Sequence, residues 1–182
     1  MRTMNEGNIL KDAEWKLLCE LISNCRRSDR ELARLIGVSQ PTVTRIRTRL
    51  EQKGVIRYDG TPNLAKVGYE IIAITFGNWR REEYPDTRVS KAKDFLAKHP
   101  NIIFVSTGSG IGSDRVAISV HKDYAGYSEF MKEIKTDWGE LMEITGSFII
   151  GLKSDNILRP ISMRYLAECI DRDKLKLLLK LA

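Results

Sequence analysis

Cysteine and histidine are scarce in this sequence, and their scarcity excludes several kinds of site. The 182 residues include three cysteines, Cys19, Cys25 and Cys169, and two histidines, His99 and His121. No two cysteines have the C-x-x-C spacing of zinc clusters or redox motifs, and two histidines cannot complete such a set. We therefore predict no metal site and no cofactor, and we expect the cysteines to be buried thiols.

Long apolar runs are also missing. Residues 1–16, MRTMNEGNILKDAEWK, are polar and interrupted by charges, so we expect neither a signal peptide nor a membrane span, and a cytoplasmic protein. An apolar content of 42% nevertheless favours a folded chain. The net charge of +6 favours an anionic partner without identifying it.

The segment 28–56, SDRELARLIGVSQPTVTRIRTRLEQKGVI, has the pattern of a helix-turn-helix. Ser28 and Glu31 have the spacing of a capping box, which predicts a helix start. Leu32, Leu35 and Ile36 then form an apolar stripe, and a glycine follows where a left-handed residue can end the helix. The next hydroxyl residue and proline predict the start of a second helix.

On the second helix, Val43, Ile46 and Leu50 recur at helical spacing and predict the buried face. The opposite face and its flanks carry Gln, Thr and Arg side chains, which suit base edges and phosphates. The same residues could belong to an ordinary solvated helix, but the apolar spacing, the glycine turn and the basic face agree with a DNA reader. The candidate DNA-binding residues are Ser39, Gln40, Pro41, Thr42, Thr44, Arg45, Arg47, Thr48, Arg49 and Gln52.

Two flanking elements complete the predicted winged helix-turn-helix domain. A helix over about 13–24, with Trp15, Leu18 and Ile22 inward, would close the small core. After the second helix, a short strand over 55–58 and the turn sequence DGTP predict a wing.

The hydrophobic period changes from helical to alternating after residue 69. Strands are predicted at 71–79, 102–107, 115–121 and 142–152, with helices at about 87–98 and from 123. We expect Val89, Ala92 and Leu96 to face inward on the first of these helices. On the second, the expected inward residues are Tyr127, Phe130 or Met131, Ile134 and Trp138. The order strand, helix, strand, strand, helix, strand is that of a ferredoxin-like domain, so the predicted class is α+β.

The predicted domains are 1–60 for DNA binding, 61–68 as a linker, 69–152 for dimerisation and effector sensing, and 153–182 as a helical extension packed on its own sheet or a partner subunit. Both helices of the second domain would cover one face of the sheet and leave the other face apolar. The same face of a second copy would cover it, giving a homodimer that reads a pseudo-palindromic site.

These features together resemble the Lrp/AsnC family of feast/famine transcriptional regulators. The most specific match is SDRELARLIGVSQPTVTRIRTRLEQKGVIRY, and HPNIIFVSTG is the clearest stretch of the C-terminal half. The resemblance implies a dimer, often assembled further, whose affinity for double-stranded DNA responds to an amino acid or similar effector.

The resemblance also implies an effector site beside the loop between the second and third strands. In the family, a glycine followed three residues later by aspartate is usual there. Here Gly108, Gly110 and Gly112 lead to Asp114, which we interpret as a longer loop with displaced spacing. The glycines favour either a hairpin or a ligand loop, and the four residues are the candidate effector-binding set.

Two other classes of protein fit the same scaffold. Siroheme decarboxylases resemble it without a working DNA reader, and His121 is the only histidine placed reasonably for such an enzyme. An effector-binding or assembly protein that has lost DNA binding is the other class. The intact basic helix favours regulation, so no catalytic residues are predicted.

Overall fold

The structure is a computed structural model that describes residues 10–80, 85–153 and 157–168, and for 85–89 only the backbone. The chain forms two compact units. One contains the chain up to Thr61 together with the segment from Pro160, and the other is Pro62–Arg159.

The described part of the first unit contains the α-helices α1 (Asp12–Ser23), α2 (Asp29–Ile36) and α3 (Gln40–Gln52). The predicted capping box of α2 is present: the Ser28 N–H donates to the Glu31 carboxylate at 2.8 Å, and Glu31 N–H donates to Ser28 Oγ at 3.3 Å. Hydrogen bonds from Ser28 hold the pKa of the Glu31 carboxyl below its ordinary value. Gly37 ends the helix with a φ of 73°, and Ser39 caps α3, as predicted.

The buried faces of the first two helices differ in part from the predicted ones. Leu35 of α2 is 56% exposed, so the predicted stripe is wrong at this residue. Ala33, on the same helix, is buried. On α1, Trp15 and Ile22 are only partly buried. The α1 face that meets the other helices is Glu14, Leu17, Leu18 and Leu21.

The predicted strand of the wing is not formed. Residues 55–58, which the structure describes, follow α3 without strand pairing. Partial burial and a hydrogen bond with Glu51 raise the pKa of Tyr58 to about 12, so this side chain is held beside the end of α3.

The second unit has the predicted ferredoxin-like order. Its elements are β1 (Ile71–Trp79), α4 (Pro85–Lys98), β2 (Ile102–Gly110), β3 (Ser113–His121), α5 (Tyr124–Trp138) and β4 (Met142–Gly151). The strands form one antiparallel sheet in the order β2-β3-β1-β4. The predicted class, α+β, is confirmed.

The helices pack on one face of this sheet. On α5, Tyr127, Phe130, Ile134 and Trp138 are buried, as the sequence predicted. On α4, Leu96 is 37% exposed and Phe95 packs against the core instead, so the predicted inward residue is wrong. The side chain of Val89 lies outside the described residues.

The glycine segment is a hairpin, which is one of the two predicted alternatives, and its turn is tight rather than the longer loop that we inferred. Gly110 pairs with Ser113, and only Ile111 and Gly112 lie between them, with φ of 47° and 71°. Positive φ at both central residues is the mark of a type I′ turn, whose twist matches that of the flanking strands.

From Pro160 onward, the described part of the C-terminal extension belongs to the first unit and not to the sheet, whereas residues 153 and 157–159 belong to the second unit. A short 3-10 turn, Met163–Tyr165, packs against α1. The predicted stripe beyond residue 168, with Cys169, lies outside the described residues. The buried-thiol expectation is wrong for Cys25, which is exposed, while Cys19 is partly buried. No described helix is long and apolar enough to cross a bilayer.

Candidate nucleic-acid interface

The outer face of α3 is open to solvent along the helix. Val43, Ile46 and Leu50 are buried on the opposite side, as the apolar spacing predicts. This leaves polar side chains of several sizes on a convex surface, and no described part of the first unit covers them. The exposed members of the predicted set are Ser39, Gln40, Pro41, Thr44, Arg45, Thr48 and Gln52.

The hydroxyls of Ser39 and Thr42 form hydrogen bonds that cap the N-terminus of α3. The two side-chain oxygens are 2.8 Å apart, and the Thr42 N–H donates to Ser39 Oγ at 3.4 Å. These contacts satisfy a backbone donor that would otherwise lack an intrahelical partner. Thr42 is half-buried, so the structure places it beneath the exposed face.

Arg47 points toward α2. Its Nε lies 3.0 Å from Asp29 Oδ1, and its Nη2 donates to the Arg27 carbonyl at 3.1 Å. Only 23% of its side chain is exposed. The guanidinium therefore ties the two helices together, and its reach toward a ligand is restricted.

Arg49 is held on the α1 side of the helix. It forms an ion pair with Glu14, whose side chain is 8% exposed. Glu14 also accepts a hydrogen bond from the Lys11 N–H at 2.7 Å. Because the carboxylate is buried, Arg49 is the cation that compensates it.

The exposed threonines are pre-ordered by bonds within the domain. Thr44 Oγ1 donates to Asp29 Oδ2 at 2.6 Å, and Thr48 Oγ1 donates to the Thr44 carbonyl at 3.0 Å. Asp29 thus contacts both Thr44 and Arg47. Sequence reasoning missed this residue because its partners are brought near only when the helices pack.

Arg45 differs from the other two arginines of α3. It is exposed and forms no ion pair with any residue that the structure describes. Nearby, Arg26 is exposed in the turn after α1, whereas Arg27 is paired with Glu20. The outer face of α3 therefore presents a free positive charge among small hydroxyls and amides, which suits an anionic groove.

The structure brings two of the predicted effector residues together through a residue that sequence reasoning missed. Asn78 Nδ2 donates to the Gly112 carbonyl at 2.8 Å, and the Asp114 N–H donates to Asn78 Oδ1 at 2.8 Å. Gly108 and Gly110 belong to β2, where both are exposed. A polar residue within a strand gives little signal by itself, so only the pairing of β1 with β3 reveals this contact.

His121 lies inside the second unit. It is 5% exposed, its Nε2 is 2.8 Å from Ser119 Oγ, and its ring packs against Tyr127 and Phe130. Burial lowers its pKa. Among the described residues, no group of three or more His, Cys, Asp and Glu side chains could hold a metal ion.

Residues 10–57, which include α1, α2 and α3, match the winged helix-turn-helix DNA-binding family. The HTH-type transcriptional regulator Ptr1 of Methanocaldococcus jannaschii is 29% identical over 128 residues, which are 69% of this chain and 81% of that protein.

Solved structures share the fold of nearly the whole described chain. A Neisseria meningitidis transcriptional regulator, solved as an L-Met complex, has a TM-score of 0.68 at 18% identity and covers 85% of this chain and 96% of its own. An AsnC family transcriptional regulator from Agrobacterium tumefaciens has a TM-score of 0.62 at 18% identity, with 86% and 99% covered. The matched domain and these relatives support a DNA-binding transcriptional regulator, and the chain has the fold of the Lrp/AsnC family.

Proposed function

We propose that this protein is a sequence-specific transcriptional regulator that inserts α3 into the major groove of double-stranded DNA. The observation that carries the proposal is the outer face of α3, which is exposed along its length and bears Arg45 without an ionic partner among the described residues. The relatives that are named as transcriptional regulators support the same conclusion.

The side chains of α3 divide into two groups under this proposal. Arg45 and Gln52 contact base edges, where arginine pairs with guanine and glutamine with adenine. Thr44 and Thr48 are small enough for the helix to approach closely. Arg47 and Arg49 hold α3 at its angle to the other helices and make only secondary contacts with phosphates.

A homodimer supplies the second reading helix. The sheet face opposite the helices carries an apolar row made of Phe104, Ile118, Ile74 and Phe148. A second copy of the chain would cover this row. Two α3 helices then meet successive major-groove turns roughly 34 Å apart, which requires a pseudo-palindromic site. The proposal includes a cytoplasmic location, because the protein must reach the DNA that it binds.

An amino acid or similar small effector is the proposed ligand of the hairpin region. The candidate residues are Gly108, Gly110, Gly112 and Asp114, to which Asn78 is now added by its two hydrogen bonds. The Neisseria regulator solved with L-Met supports a small-molecule ligand for this fold. We propose no enzymatic role, and the burial of His121 does not favour the siroheme-decarboxylase alternative.

The DNA-reading proposal is tested by fluorescence anisotropy with a labelled fragment from upstream of the protein's own coding region. A scrambled fragment measures non-specific binding. Losing one good base contact costs about 1–3 kcal/mol, so we expect Arg45→Ala to weaken binding to the specific fragment about 5- to 150-fold. Affinity of the wild-type protein should also fall steeply with salt, because phosphate contacts release counterions.

Lys132→Ala is the matched control, since Lys132 is an exposed cation on α5 in the other unit. We expect this variant to bind both fragments as the wild type does. If Arg45→Ala kept full affinity and preference for the specific fragment, α3 would not be the reading element.

A further inference from the structure

The second unit contains an apolar cavity, partly open to solvent, between the two helices and the sheet. Its volume is about 120 Å³. One wall is made of aromatic side chains, Trp79, Phe95, Phe130 and Trp138, and the two tryptophan rings are 5.9 Å apart. Met142 and Ile144 of β4 close another side.

The cavity exists because the sheet contributes small side chains beneath it. Val105, Ala117 and Thr75 are neighbours across β2, β3 and β1, and all three line the space. Gly77 lies beside them, where an added Cβ would come within 2.8 Å of the Glu143 carbonyl, so β4 approaches too closely for any larger residue. The aromatic side chains of the helices therefore face a part of the sheet that carries only small side chains, and space remains between them.

The size of the cavity restricts what it can hold. An engineered apolar cavity of about 150 Å³ in another protein remains dry and binds benzene. A space of about 120 Å³ is thus suited to one aromatic ring or a short branched alkyl group. Water would find few polar partners on this lining, so an apolar occupant is favoured.

The polar groups at the cavity indicate the charge of the occupant. Arg115 is the only ionisable residue among the described residues that line it. Its guanidinium lies 5.4 Å from the centre of the Trp79 ring, and its Nη1 donates to the Asp114 carbonyl at 2.6 Å. The same Nη1 lies 3.6 Å from Asp114 Oδ1. Arginine has five N–H donors, so several remain for an anionic ligand.

Trp138 supplies a second indication. Its side chain is 4% exposed, and its indole Nε1–H has no hydrogen-bond partner among the described residues. A buried donor without an acceptor costs free energy, which a ligand bearing an acceptor would recover. Lys91 Nζ lies 5.1 Å from the centre of the same ring and adds positive charge nearby.

We infer that this cavity binds a small aromatic or branched apolar carboxylate, with its apolar group beneath α4 and α5 and its carboxylate at Arg115. The cavity adjoins the hairpin, because Arg115 contacts Asp114 of the proposed effector set, but Asp114 and the three glycines do not line it. Binding in the cavity does not depend on DNA binding. Amino acids fit it less well, because Asp114, the acid beside Arg115, already forms an ion pair with that residue and does not line the cavity.

The test uses phenylacetate as the probe on the full chain carrying Trp15→Phe. Trp15 belongs to the first unit, so in this background tryptophan fluorescence reports only Trp79 and Trp138. We expect saturable quenching by phenylacetate. Acetate, which lacks the ring, phenylacetamide, which lacks the charge, and L-phenylalanine, which adds the ammonium, should each bind at least about tenfold more weakly.

Two alanines of α4 give a matched pair of variants. Ala92 lines the cavity, whereas Ala97 is exposed on the same helix. Ala92→Leu should abolish phenylacetate binding and Ala97→Leu should leave it unchanged, with folding checked by circular dichroism. If Ala92→Leu does not fold, Ala92→Val replaces it, and Arg115→Gln tests the carboxylate contact independently.

Three results would overturn the inference. They are phenylacetate binding no tighter than acetate, equal binding of phenylacetate and phenylacetamide, and unchanged binding in Ala92→Leu or Ala92→Val. Each outcome is independent of DNA affinity, so a failure here would leave the proposed regulator function standing.

Discussion

The arginines of α3 show how position on one helix decides what a side chain does. Arg49 neutralises the buried carboxylate of Glu14, and Arg47 bridges to Asp29 of α2. Arg45, on the exposed face, has no such partner among the described residues. Only Arg45 therefore keeps its full charge for a ligand without disturbing the domain.

Arg49→Ala tests this division of roles. The change would leave Glu14 buried without its cation, and removing one partner of such a pair costs about 1–3 kcal/mol of the free energy of unfolding. Urea denaturation measures the loss. Arg34→Ala, an exposed arginine of α2, should change stability by less than about 0.5 kcal/mol. A loss of base preference in folded Arg49→Ala, without loss of stability, would contradict the assignment.

His121 makes the stability of the second unit depend on pH. Burial lowers its pKa below the ordinary 6.5. The groups facing it are Ser119, Tyr127 and Phe130, none of them charged at neutral pH. Above pH 6.5 the imidazole is neutral in both states, and its contribution is constant. As the pH falls from 6.5 toward the lowered pKa, the unfolded chain binds a proton that the folded chain excludes, so stability is lost.

We therefore expect the urea midpoint of the wild type to fall between pH 7 and pH 5. His121→Gln keeps a polar side chain that does not titrate in this range, and its midpoint should fall less. Equal pH slopes for the two proteins would show that other groups cause the loss.

Among the described residues, Ile111 in the turn of the β2–β3 hairpin is the one non-glycine residue with a positive φ. Ile111, a β-branched residue that is 76% exposed, has a φ of 47°. Left-handed backbone is costly for such side chains, whereas asparagine accepts it and asparagine-glycine favours a type I′ turn.

Ile111→Asn should accordingly raise the free energy of unfolding by about 1 kcal/mol. Gly112→Ala should act in the opposite direction, because φ at that residue is 71°. Both changes are measured by urea denaturation. If Ile111→Asn were destabilising, the side chain of Ile111 would have to make contacts beyond those of an exposed turn.

At the scale of the whole molecule, the exposed apolar face of the sheet indicates an interface with another protein chain. Phe104, Ile118, Ile74 and Phe148 are neighbours across the four strands, so they lie on one face. His121, three residues along β3 from Ile118, packs on α5 and therefore marks the opposite face. Phe104 and Phe148 are 49% and 65% exposed. An apolar row with exposed aromatic side chains is typical of a protein interface.

Phe148→Asp should convert the proposed dimer to monomer at micromolar concentration in sedimentation velocity, because the carboxylate would be buried without a partner. The matched control is Tyr124→Asp, an aromatic residue of α5 that is 64% exposed and lies outside this row. DNA affinity should fall with the dimer. A Phe148→Asp protein that sediments as the wild type does would show that this face is not the interface.

Local signals determined the elements and their order. The Ser28–Glu31 cap, the αL glycine at 37 and the Ser39 cap were readable because their contacts span at most a few residues. The α5 stripe was readable because its period is that of the helix. Where the rotation of a helix depends on its neighbours, as for Leu35 of α2, the interpretation failed. Trp15 of α1 packs against the core as predicted but is only partly buried.

By itself, the sequence determined a helix-turn-helix followed by a ferredoxin-like domain, since caps, turns and hydrophobic periods act within short stretches of chain. The tertiary structure alone decided which arginines of α3 remain free, that Asn78 joins the hairpin, and that a cavity lies under Trp79 and Trp138. These features depend on residues far apart in the chain, and only packing brings such residues within contact distance.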